Sequence, residues 1–173
     1  MENLYVRKAH VSDAEEIAKV HVYTWQNAYL GLIPDSVLQG LSVELRTSNW
    51  IRNIKNPSPK SHTFIAEMDG EIVGFVGLGA NREKDLENEG EIYAIYVNPQ
   101  FQGRGAGAAL MKTGLETLKS EGFAEAVLWV LDRNLHARAW YESNGWISEG
   151  KSKFDQRGDL VLEEIEYRIV LKL

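Results

Sequence analysis

Val97-Asn98-Pro99-Gln100-Phe101-Gln102-Gly103-Arg104-Gly105-Ala106-Gly107-Ala108 joins an apolar, strand-like run to a helix-forming one. Three glycines at alternate positions expose a string of backbone amides. The start of the following helix adds partial positive charge aimed the same way, and together they form a site for an anion. Arg104 can add a charged contact. A merely flexible turn would not need glycine inside the helix start, where it costs about 1 kcal/mol relative to alanine. Gly103-x-Gly105-x-x-Ala108 also fits a relaxed dinucleotide fingerprint, but that pattern needs its first glycine at the strand end and an acid at the end of the next strand. A Walker loop fails because residues 107–112 lack the glycine before lysine.

Upstream, Glu91-Ile92-Tyr93-Ala94-Ile95-Tyr96-Val97 reads as a strand stopped by Asn98-Pro99. Simple alternation places Glu91, Tyr93, Ile95 and Val97 on one face. A charged loop, residues 82–89, precedes it. Before that, residues 63–68 and 71–78 flank Asp69-Gly70 as a hairpin. At the front, residues 4–8 read as a strand, and Ser12-Asp13-Ala14-Glu15 as a capping box. The next helix carries Ala14, Ile17, Ala18, His21, Trp25, Ala28 and Tyr29 on one face until Gly31 and Pro34 break it. Two short helices fit residues 35–40 and 42–54. Downstream, the glycine loop opens a helix to about Lys119, followed by a strand at 126–131 and a helix over about 134–143. Strand-like segments around 147–154 and 160–171 close the chain. The pattern implies a mixed sheet with helices on both faces, α/β (α+β) in class.

The chain has 173 residues, and its one Pro/Ser loop at 56–61 is too short to separate domains, so a single domain over 1–173 is expected. Hydrophobic residues at 44% and charged residues at 25% exclude a disordered chain. A net charge of -6 gives no footprint for nucleic acid. With no cysteine, thiolate nucleophiles and cysteine-based metal sites are excluded. The histidines at 10, 21, 62 and 136 are scattered, so no metal site is expected. No signal-like start or membrane-spanning run is seen, and a cytoplasmic protein is expected.

Gln102-x-x-Gly105-x-Gly107, after a strand and a proline-containing loop, resembles the acyl-CoA-binding motif of the GCN5-related N-acetyltransferase superfamily. Asn134-x-x-Ala137-x-x-x-Tyr141-Glu142-x-x-Gly145-Trp146 is similar to its second motif, with Trp146 where phenylalanine is more usual. Order, separation and element pattern extend the resemblance over essentially the whole chain. It implies the acyl-CoA N-acyltransferase fold with a mixed, mostly antiparallel central sheet.

The resemblance further implies that backbone groups of Ile95 and Val97, with Tyr96 between, line the thioester and pantetheine arm of acetyl-CoA. Gln102, Gly103, Arg104, Gly105, Ala106, Gly107 and Ala108 then hold the pyrophosphate. Asn134 would bond the pantetheine chain, although asparagine also serves there as a plain helix cap. Tyr141 is expected to donate a proton to the departing thiolate. Glu91, eleven positions before Gln102, is expected to act as the base through a water. Trp25 and Tyr29 are expected to wall the acceptor pocket.

The expected activity is acetyl transfer from acetyl-CoA to a primary amine of a small molecule, peptide or protein, by direct attack in a ternary complex. An alkylamine with pKa of about 10.4 costs about 4.6 kcal/mol to deprotonate at pH 7, so a base is expected for such acceptors. An α-amine costs only about 1 kcal/mol. A non-catalytic acyl-CoA sensor would keep the glycine loop but could dispense with Tyr141 and Glu91. A homodimer would be in keeping with the superfamily, and neither nucleic acid nor membrane is expected as a partner.

Overall fold

The computed structural model describes residues 3–83 and 88–171. Among them, β1 (Leu4–Lys8), β2 (His62–Met68), β3 (Glu71–Ala80), β4 (Glu89–Val97), β5 (Glu125–Leu131), β6 (Ser152–Arg157) and β7 (Leu160–Val170) form one sheet in the order β1-β2-β3-β4-β5-β7-β6. Every neighbouring pair is antiparallel except β4 and β5, which run parallel. The α-helices among the described residues are α1 (Ala14–Ala28), α2 (Asp35–Gln39), α3 (Val43–Lys55), α4 (Ala106–Ser120) and α5 (Leu135–Ser143).

The apolar pattern assigns each helix to a face. Ala106, Leu110 and Leu118 of α4 and Tyr141 of α5 join Val76, Leu78, Ile92, Leu128, Val130, Ile165 and Tyr167 in the larger core. On the opposite face, Ile17 and Val20 of α1 pack on Ile65 and Phe75. Farther along that face, Trp25, Ile33 and Leu38 meet Leu131 and Leu162. Burying apolar area on both faces supplies the main driving force, about 25 cal/mol per Å².

Two irregularities in β4 shape the centre. The β3–β4 register places Gly77 opposite Ala94 but Leu78 opposite Ile92, which leaves Tyr93 as an extra residue in a β-bulge. The Tyr93 hydroxyl donates to the Ala80 carbonyl at 2.6 Å. The bulge corrects the simple alternation expected for this strand. Glu91 faces the α3 side with Ala94 and Tyr96, opposite to its neighbour Gly90, where a Cβ would strike Leu118 of α4. Ile95 and Val97 instead point into the α4-side core.

The second irregularity is a split. β4 and β5 pair only from Glu89↔Glu125 to Ile92↔Leu128. Beyond that, β4 stays with β3 up to Val97, while β5 follows β7 through Leu131↔Glu164. The two strands therefore part at mid-sheet, leaving the edge of β4 beyond Ile92 without a partner strand among the described residues.

Two local expectations shift. The helix entrance is organised by Asp13, which accepts from the His10 backbone N–H at 2.7 Å and pairs with Arg7 at 2.8 Å. Glu15 turns instead to Lys19 at 2.9 Å, so the box expected at Ser12 and Glu15 does not form. β6 starts at Ser152, with Ile147 making only an isolated bridge to Arg168. Of the charged loop, residues 84–87 lie outside the described residues. The Asp69-Gly70 turn has the two positive φ angles, 51° and 89°, that a tight hairpin requires.

Candidate active site

The glycine loop sits at the open end of the split. Asn98 caps a short turn by accepting from the Gln100 N–H at 3.1 Å, and Gln102 Nε2 returns to the Val97 carbonyl at 3.3 Å. Gly103 and Gly105 have φ of 76° and 89°, a region that side chains with a Cβ rarely adopt. Gly105 is the residue before α4, and the first backbone bond back to it comes from Ala109 at 3.0 Å. The amides of Ala106, Gly107 and Ala108 are thus the unsatisfied first donors of a helix, fit for phosphate oxygens. Gly103, Arg104 and Gly105 are exposed there, and the Arg104 guanidinium lies 5.3 Å from the centre of the Phe101 ring. Ala106-Leu110-Gly114-Leu118 anchors the helix on the sheet, with Gly114 so close that a Cβ would lie 3.2 Å from Ile92 and Leu78.

α5 borders the loop from the side. Asn134 caps it by accepting from the Ala137 N–H at 3.2 Å. Trp140 lies against Gly107, where a Cβ would be 3.4 Å from the indole. One position on, Tyr141 turns inward and is buried. Burial, then the nearby Tyr96, push its phenol well above the ordinary pKa, so it keeps its proton. Tyr141 belongs to the α4-side core and Tyr96 to the opposite face, yet they sense each other across the split.

On the α1 side, Trp25 and Tyr29 make an edge-to-face pair with centroids 4.9 Å apart. Burial raises the Tyr29 phenol pKa, helped by Tyr96, Tyr141 and Glu164. His21 stands 5.3 Å from the Tyr96 ring, and burial, then Arg46 and Arg157, lower its pKa to about 3. The structure thus brings Trp25, Tyr29, Tyr96 and Tyr141 together in one aromatic cluster beside the split.

Glu91 lies apart from that group in its bonding. It is 2% exposed, and its oxygens accept from the Arg82 backbone N–H at 3.0 Å and from the guanidinium at 2.5 Å and 3.2 Å. It also sits where β4 and β5 are still paired, opposite Val127. A carboxylate so occupied has few lone pairs left for an acceptor or a bridging water. Glu164 of β7 differs. It is half-buried, its pKa is raised chiefly by that burial, and among the described residues its carboxylate has no hydrogen-bond or ion-pair partner. Sequence reasoning missed Glu164, Arg82, Arg46 and Arg157. A usable signal was there for Glu164: alternation along β7 puts it on the face of buried Leu162.

Together these parts provide an anion-binding helix start, an unpaired strand edge, a protonated phenol and a carboxylate near an aromatic cluster. That set suits a phosphate-bearing thioester, for which the helix start would hold the pyrophosphate and the strand edge the amide-rich arm. The model of the Acetyltransferase (GNAT) family matches residues 21–146. The uncharacterized N-acetyltransferase YuaI of Bacillus subtilis is 35% identical over 129 residues, 75% of this chain and 72% of that protein. Among solved structures, the PaiA N-acetyltransferase of Thermoplasma acidophilum in complex with coenzyme A superposes with a TM-score of 0.71 at 22% identity, covering 94% of this chain and 98% of that one. YncA of Salmonella typhimurium with acetyl-CoA gives a TM-score of 0.71 at 17% identity, covering 98% and 94%. The split sheet and glycine loop therefore have the fold of proteins solved with coenzyme A or acetyl-CoA, and the chain belongs to the GNAT family of acetyltransferases.

Proposed function

We propose that the protein transfers the acetyl group of acetyl-CoA to a primary amine by direct attack within a ternary complex. The observation that carries the reading is Tyr141, a buried phenol that senses Tyr96 through the gap between β4 and β5. Acetyl-CoA supplies an activated acetyl thioester. Residues 103–108 would bind its pyrophosphate, with Gln102 bracing the loop, and Asn134 would add a contact to the pantetheine while capping α5. Backbone groups of Ile95, Tyr96 and Val97 would hold the arm and polarise the carbonyl.

The amine nitrogen forms a bond to the acetyl carbon as the carbon–sulfur bond breaks. Tyr141 donates a hydrogen bond and then a proton to the leaving sulfur. The amine's proton goes to a carboxylate. Glu91 was the expected base, but Arg82 holds it, so Glu164 takes that role in our reading and Glu91 keeps Arg82 and the loop in place. Trp25 and Tyr29 wall the acceptor's path. The acceptor class, a small molecule or a peptide or protein terminus, and action in the cytoplasm belong to the same proposal.

A thiol-release assay with acetyl-CoA across a panel of amines tests it. Turnover with at least one amine is expected, falling in Tyr141→Phe with acetyl-CoA affinity kept. Tight acetyl-CoA binding with no turnover on any amine would overturn it in favour of a sensor.

A further inference from the structure

Trp25 is approached by two guanidinium groups from separate parts of the chain. Arg46 of α3 lies 5.5 Å from the centre of the ring and Arg157, at the end of β6, lies 5.2 Å from it. One such cation on an indole is a favourable contact. A second on the same ring adds like-charge repulsion, and Arg157 is indeed among the causes that depress the Arg46 pKa, after burial. Arg157 keeps one partner, Asp155, at 2.8 Å. Arg46 is half-buried and, among the described residues, its guanidinium has neither a hydrogen bond nor an ion pair.

The surroundings repeat the imbalance. The indole Nε1 of Trp25, a donor only, is buried without a hydrogen-bond partner, although the Tyr96 hydroxyl is nearby. His21 Nδ1 is likewise buried and unpaired. A buried donor without an acceptor is costly, and the unpaired guanidinium of Arg46 compounds that cost. An oxyanion would satisfy them, because the planar guanidinium fork matches a carboxylate in two parallel hydrogen bonds. Glu164 lies on the Tyr29 side of the same aromatic cluster and offers the opposite charge.

We propose that Arg46 and Arg157, with the Trp25 N–H, form an anion subsite, and that the acceptor is an amine that also carries an oxyanion, first of all the carboxylate of an amino acid. The inference rests on the acetyl-transfer reading above and names its substrate class. The acceptor lies with its anionic end at the two arginines and its amino end toward Glu164 and the split.

The test has two arms. The first measures thiol release with a set of α- and ω-amino acids, each against its carboxamide, and with aminoethylphosphonate against ethanolamine. The free acids are expected to exceed their amides at least about tenfold in kcat/KM, the scale of one charge-assisted hydrogen bond. The phosphonate comparison tells whether the subsite accepts oxyanions other than carboxylate. The second arm titrates N-acetylated amino acids and their amides into the CoA-loaded protein by calorimetry, for the native chain and for Arg46→Gln and Arg157→Gln. Acid-selective binding that weakens at least about tenfold in both variants, with acetyl-CoA affinity retained, supports the subsite even if no amine turns over. Amine turnover with acids and amides, or peptide amides, used equally would overturn the subsite and leave acetyl transfer standing. Neither turnover nor acid-selective binding would overturn both.

Discussion

Arg82 holds Glu91 by three donors, its own backbone N–H and the Nε and Nη2 of its guanidinium. The pair crosses from an exposed side chain to a carboxylate that is 2% exposed. It fixes the start of the loop after β3 against β4, just before the strands part. Removing Arg82 leaves a buried charge without its partner. Arg82→Ala is expected to lower the melting temperature by several degrees, as breaking a buried pair costs about 3–5 kcal/mol and partial exposure here reduces that. Glu91→Gln is expected to lower stability more than turnover. A Glu91→Gln enzyme with a native melting point and a rate lowered a hundredfold would return the base to Glu91.

Glu164→Gln is expected to reduce kcat/KM for alkylamine acceptors by about 10²-fold or more near pH 7, the range of general-base assistance. The loss shrinks as the pH approaches the amine's own pKa, because the deprotonated acceptor then needs no base. Rate–pH profiles of the native and variant enzymes on one alkylamine check this.

Tyr141→Phe removes the hydroxyl and little else, since the ring stays in the α4-side core. A drop of about 10²-fold in kcat is expected, with the acetyl-CoA dissociation constant within about twofold. Because the phenol's pKa is raised, Tyr141 retains its proton through the alkaline range. The native pH profile should therefore show no descending limb near 10 from this group.

His21 links stability to acidity. Its pKa is about 3 in the fold, lowered by burial and then by Arg46 and Arg157, against an ordinary value of 6.5. Between those values the unfolded chain binds a proton that the folded one does not. Stability is therefore complete above about pH 6.5 and is lost as the pH falls toward 3, by up to about 1.4 kcal/mol per pH unit. Glu164, with its raised pKa, works in the opposite direction as its carboxyl is protonated. Melting curves from pH 7 to 4 should fall less steeply for His21→Gln than for the native chain, once both are normalised at pH 7.

Gly105→Ala places a Cβ at a φ of 89°, and Gly122→Ala does the same at 91° beyond the far end of α4. Each is expected to cost about 1–2 kcal/mol of stability through the left-handed backbone. Only Gly105→Ala should also weaken acetyl-CoA binding, which calorimetry on both variants would show.

The glycine loop was readable because its demands are local. Positive φ at Gly103 and Gly105 and the free amides of a helix start follow from residue type and order alone. Helices α4 and α5 were equally legible, since their apolar spacing and the Asn134 cap lie within a few residues. The face of Glu91 was misread because period-two alternation cannot register an inserted residue at Tyr93. Glu164 and Arg82 escaped notice because their settings depend on packing between strands far apart in sequence. Arg46 and Arg157 meet on Trp25 only after α3 and β6 have been brought to α1, and nothing within any one segment announces it.

The extra residue at Tyr93 makes the chemistry of β4 a matter of phase. Losing a single codon there would restore an unbroken pleat and turn the end of the strand inside out relative to its start. Tyr96 would rotate from the aromatic cluster into the aliphatic core, and Ile95 and Val97 would turn to the α1 side. Composition would scarcely change, and the glycine loop would survive intact. An inventory of motifs would still count such a chain as complete, although the side chains around its split would have traded places.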